Sequence, residues 1–98
     1  MRGEYMMAAN PELGFKIVAT IESVKGVCNA AHTVGEQFTI SCYHSGGLCG
    51  FFYHDLFPTL MTFQFGGNLP WWDGDTIVAQ CPDAENLVTI KLKREARA

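Results

Sequence analysis

No lysine or arginine occurs between Lys25 and Lys91. The same span carries Glu36, Asp55, Asp73, Asp75, Asp83 and Glu85. The middle of the chain therefore cannot supply the several cationic side chains that tracking a nucleic-acid backbone requires, and nucleic acid is not an expected partner. Four of the seven basic residues, Lys91, Lys93, Arg94 and Arg97, fall in the last eight positions. They read as a solvated strand face with a charged tail rather than an anion site. Long apolar runs are missing too: none reaches ~18 residues, and the opening residues do not have the build of a secretory signal. Those two absences predict a soluble cytoplasmic protein with no membrane partner. A phosphate-binding glycine loop, a dinucleotide fingerprint, an H-E-x-x-H pair and a Ser-His-Asp signature are all lacking, which leaves nucleotide and metalloprotease chemistry little support.

What is present suffices for one core. The 98 residues have a net charge of −3, and 48 % are hydrophobic, including seven Phe, three Tyr and two Trp. A second domain is excluded on length, and a chain this small gains only modest stability unless a metal or partner adds to it. Thiols stay reduced in the cytoplasm, so Cys28, Cys42, Cys49 and Cys81 read first as core residues, metal ligands or reactive groups rather than disulfides.

Residues 1–14 have no sustained periodicity and end near a Pro and a Gly, which predicts a flexible leader; Met6 or Met7 could serve as the start. From Phe15, Ile17, Ala19 and Ile21 alternate with more polar positions, the period of a half-buried strand ending at Gly26. Alternation returns over Glu36 to Cys42, with Phe38, Ile40 and Cys42 on one side. From Leu48 to Phe65 the spacing becomes helical, through Leu48, Phe52, Leu56, Leu60 and Phe63. Pro58 should kink this helix or divide it, and Gly66-Gly67 should stop it. Thr76–Cys81 and Leu87–Lys93 read as strands of a hairpin around the turn Pro82–Asn86. The expected fold is a single small α+β domain over 15–95, ordered β-β-α-β-β, followed by a tail at 96–98. Its antiparallel sheet is either open or curled into a barrel, with one Pro-interrupted core helix.

Three clusters at element boundaries could carry chemistry: Cys28 to His32, Cys49 to His54, and Cys81-Pro82-Asp83. Cys49 lies near a helix N-terminus, where unpaired amides and the macrodipole favour an anionic sulfur. His54 is five residues on, roughly 140° around a helix, so the two share a site only if Cys49 enters from the loop. Cys28 and His32 have a C-x3-H spacing, weaker than a paired C-x2-C. Should the segments meet, Cys28, Cys49, His54 and Cys81 would form a Cys3His set with His32 as a fifth candidate, a soft donor set suited to zinc or iron. A Cys-His-carboxylate relay would instead need Cys49 or Cys81, His54 or His32, and Asp55 or Asp83 to converge, and Cys49 and His54 are then the catalytic candidates. The bland alternatives are a buried Cys and a His satisfied by one backbone contact. Cys42 has the inward register of its strand, and His44 reads as an exposed turn residue. One of Trp71 and Trp72 belongs at the edge of the core, and either could anchor a partner.

The combination Gly26-x-Cys28-x3-His32-x-Val34-Gly35-Glu36-x-Phe38, Gly47-Leu48-Cys49-x4-His54-x2-Phe57-Pro58, Phe65-Gly66-Gly67-x2-Pro70-Trp71 and Cys81-Pro82-Asp83 resembles a small uncharacterised family found in bacteria and archaea, many of them anaerobes. The likeness runs from about Lys16 to Arg94. It implies that Cys28, His32, Cys49, His54 and Cys81 are signature positions and that Cys42 and His44 are not. One departure is Gly50, where that family usually has Pro at the helix start. No activity follows from the resemblance. The leading expectation is a Cys/His site protein that binds a transition metal or works in thiol redox. The alternative is a non-catalytic accessory or oligomerising module, with a homo-oligomer or a larger protein as partner.

Overall fold

A computed structural model describes residues 9–97. The leader over 1–8, with the alternative starts at Met6 and Met7, and residue 98 of the tail lie outside the described residues. Strands β1 (Lys16–Val24) and β2 (Gln37–Ile40) precede helix α1 (Gly50–Gln64), and β3 (Thr76–Gln80) and β4 (Val88–Glu95) follow it. The four strands form one antiparallel sheet in the order β2-β1-β4-β3. The sheet is open, so the α+β expectation holds without a barrel.

Period-two alternation decides which face is covered. Ala19 pairs with Leu92 and Ile21 with Ile90, so the apolar sets of the two central strands lie side by side on one face. Ile17, Ala19, Ile21, Val88, Ile90 and Leu92 are buried there against Phe52, Leu56, Leu60 and Phe63 of α1. Fully burying each of these side chains larger than Ala19 contributes about 1.5–3 kcal/mol, so this layer fixes how the helix lies on the sheet. The other face keeps Lys16, Glu22, Gln37, Gln80 and Lys93 exposed.

The helix begins two residues later than the periodicity predicts. Cys49 is its N-cap, with non-helical φ −62° and ψ 149°. Pro58 lies inside α1 without dividing it. The predicted stop is observed: Gly66 takes φ 87°, its N–H donates to the Phe63 carbonyl at 3.3 Å, and the Gly67 N–H donates to the Thr62 carbonyl at 2.8 Å. That pair of bonds is a Schellman terminator, and the left-handed φ is what calls for glycine.

Arg94 corrects the reading of the C-terminal basic residues as solvated. It continues the inward phase of Val88, Ile90 and Leu92 and is buried at 6 % exposure. Its guanidinium donates to the carbonyls of Phe63 (3.0 Å) and Gly67 (2.7 Å), to Asn68 Oδ1 (2.5 Å) and to Asp75 Oδ1 (3.2 Å). It also stacks over the Phe63 ring at 4.6 Å. A buried cation at a helix C-terminus with this many acceptors is a cap. Gln64 is buried as well, accepting from the Cys42 N–H at 2.8 Å and donating to the Leu13 carbonyl at 2.9 Å. The last residues of the expected leader are thereby tied to the domain. Trp72 packs edge-on against Phe63 at 5.6 Å, whereas Trp71 is 76 % exposed.

Candidate functional site

Leaving β1, the chain turns through Cys28 to Ala31, where the Ala31 N–H donates to the Cys28 carbonyl at 2.9 Å. His32 follows and is buried. Its Nδ1 donates to Glu36 Oε1 at 2.7 Å, and its Nε2 accepts from the backbone N–H of Cys49 at 3.1 Å. Because an amide can only donate, Nε2 carries the lone pair and Nδ1 the proton. The imidazole thus ties the Cys28 loop to the N-cap of α1, and both its nitrogens are engaged.

A second tie runs from the same loop to the β3–β4 turn. The Val27 N–H donates to Asn86 Oδ1 at 3.1 Å, while Asn86 Nδ2 donates to Asp83 Oδ2 at 3.1 Å. Asp83 Oδ1 accepts from the amides of Glu85 (3.0 Å) and Asn86 (3.3 Å). The Asn86 side chain and these amides hold the Asp83 carboxyl below its usual range. Gly26 lies so close to the Asn86 amide that a β-carbon would strike its oxygen.

Cys81 closes the hairpin. Its N–H donates to the Val88 carbonyl at 3.0 Å, and its Sγ accepts from the Val88 N–H at 3.1 Å. The sulfur thus accepts from Val88 where a backbone carbonyl would in a regular ladder. Cys28 and Cys49 are different: each is partly exposed, and Cys49 makes no side-chain cap bond.

These three segments border one cavity of about 290 Å³, lined by Cys28, Cys49, Cys81, His32 and Asp83 together with the Phe52 ring. His54 is elsewhere, exposed in a groove with Tyr53, Phe57 and Pro58. The helical rotation that separates it from Cys49 is not undone, because α1 is regular from Gly50 onward. Of the expected Cys3His set, three thiols and the fifth candidate, His32, meet, while the nominal imidazole does not. Among the described residues, no three or more His, Cys, Asp or Glu side chains are placed to hold a metal ion.

Cys42 lies outside the cavity, and burial pushes its thiol up. Tyr53, which donates to the Ser41 carbonyl at 2.7 Å, is likewise raised by burial and then by Cys42. His44 Nδ1 accepts from the Gly46 N–H at 3.0 Å within an exposed turn. Asp55 is exposed on α1 and does not line the cavity. Sequence reasoning missed the two holders, Glu36 and Asn86. Glu36 stands four residues after His32 and Asn86 three after Asp83, spacings at which a turn returns one side chain to another.

Among the described residues, no helix is long and apolar enough to cross a membrane. Comparison of the chain with family models, curated proteins and solved structures gives no match.

Proposed function

We propose that this is a small cytoplasmic thiol-site protein that carries out thiol–disulfide exchange, with Cys49 and Cys28 as its working pair. The observation that carries the reading is the His32 tie, which draws the Cys28 loop to Cys49 so that two partly exposed, unbonded thiols border one cavity. In the proposed reaction the Cys49 thiolate attacks a substrate disulfide R–S–S–R, forming Cys49–S–S–R and expelling RS⁻, which takes a proton from water. Cys28 then attacks the Cys49 sulfur as its thiolate and expels the second RS⁻, so the dithiol is oxidised by two electrons as the substrate is reduced. Cys81 and His32 hold the site, since the sulfur of one and both nitrogens of the other are already bonded. Zinc or iron finds less support, because Cys81 and His32 are already engaged and His54 lies in another groove, which leaves only Cys28 and Cys49 of the expected set.

The test is to titrate reduced protein with a small disulfide and map the products. A Cys28–Cys49 bond, absent from Cys49→Ser, is expected. Recovery of both thiols in the free form after excess oxidant would sink the reading.

A second reading, an oligomerising module, is favoured by one observation: Phe51 and Met61 are exposed on α1, with Phe65 exposed at its C-cap and Trp71 beyond it. Light scattering checks it, a concentration-independent monomer being the adverse result.

A further inference from the structure

Resting on the thiol-exchange reading, we infer that the cavity accepts disulfides bearing a small apolar group without negative charge, and turns anionic ones away. Size sets the first limit: about 290 Å³ is at the lower end of ligand pockets, which run ~300–1,000 Å³, so the space suits a single ring or a short aliphatic group. The walls set the second. Phe51, Phe52, Ala30 and Val88 line the cavity, and Phe51 is 64 % exposed at its edge, a ready platform for a flat apolar group.

Charge sets the third limit. Among the described residues no Lys or Arg lines the cavity and Asp83 is its one carboxylate, already ringed by amide donors that favour the ionised form. Lys25, the nearest basic residue in the chain, has its backbone N–H on the Leu87 carbonyl and is not part of the lining. A carboxylate entering here would lose water, face Asp83 and meet no cation in return. The positive end of α1 does open on the cavity, but it opens at Cys49 itself, where it acts on the attacking sulfur.

The experiment compares the rates at which reduced protein reacts with neutral dipyridyl disulfide and with dianionic dithiobis(nitrobenzoate). Each rate is divided by that of the same chain unfolded in urea, which removes the reagents' intrinsic difference. The folded-to-unfolded ratio should be about tenfold higher for the neutral reagent at low salt. That gap should narrow as salt is raised and again in Asp83→Asn. An equal or larger ratio for the dianion overturns the charge selection while leaving thiol exchange standing. If neither reagent gives a Cys49 adduct in the folded protein, the exchange reading falls and the selectivity falls with it.

Discussion

At the carboxyl end of α1 each of the last four carbonyls has a donor: Phe65 N–H on Met61, Gly67 N–H on Thr62, Gly66 N–H and Arg94 on Phe63, and Phe15 N–H on Gln64. At its amino end the N-cap residue Cys49 makes no side-chain cap bond and no acidic residue occupies the first turn. There the Cys49 N–H is held by His32, and the amino end opens on a cavity bordered by three sulfurs. A helix end left without its usual cap forgoes roughly 0.5–2 kcal/mol, and the sealed end supplies the anchoring that makes this tolerable. One end fixes where the helix lies. The other presents sulfur to whatever enters.

That contrast is open to attack at its strongest point first. Arg94→Ala should lower stability by about 3–5 kcal/mol in urea unfolding, because it takes a donor from the Phe63 and Gly67 carbonyls, of which Phe63 keeps the Gly66 N–H, and leaves a hole over the Phe63 ring. Alkylation of Cys49 in the folded state should stay within about twofold of the parent, since no acceptor of Arg94 lies in the cavity. A large change at Cys49 would mean that the two ends are coupled after all. Less costly is His32→Ala, expected at about 1–3 kcal/mol from one orphaned amide and one lost charge-assisted bond. This variant should slow formation of the Cys28–Cys49 bond while leaving alkylation of Cys42 unaltered. Unchanged bond formation would show that the loop reaches Cys49 without the imidazole.

The smallest effect concerns pH. The Asp83 carboxyl is depressed in the folded protein, so its contribution to stability is present above its ordinary value of 3.8 and is lost as pH falls through the lower folded value. Melting temperature should therefore fall more steeply below about pH 3.8 in the parent than in Asp83→Asn. Parallel curves would remove the amide-ringed carboxylate from the account of the turn.

Much of the fold is legible in local pattern. Ile17, Ala19 and Ile21, then Val88, Ile90 and Leu92, announce strands because side chains alternate across a sheet. The sequence Gly66-Gly67 announces a helix stop because only glycine takes φ 87° without strain. Arg94 was misread: it stands in the same phase as Leu92, but its charge reads as solvent-facing until acceptors are seen around it. Gln64 was hidden for the same reason. The site is less legible than the fold. Its cysteines are evident by type, yet Cys28, Cys49 and Cys81 belong to segments separated by whole elements, and no spacing rule links them. His54 is the instructive case. Its angle from Cys49 foretold separation, with entry of Cys49 from the loop as the condition for association, and although Cys49 does stand outside the helix as its N-cap, the regular helix carries His54 to another groove.

The residues by themselves determined four strands, one helix, its terminator, an acidic centre and a chain with thiols and imidazoles to spare. Those are local matters, set by side-chain periodicity and backbone preference over a few neighbours. Tertiary structure alone decided that the sheet runs β2-β1-β4-β3, that Arg94 caps α1, and that Cys28, Cys49 and Cys81 border one space while His54 and Cys42 do not. Those outcomes depend on strand pairing and on bonds such as Cys49 to His32 and Val27 to Asn86, formed between groups that sequence distance leaves uncorrelated until the core closes.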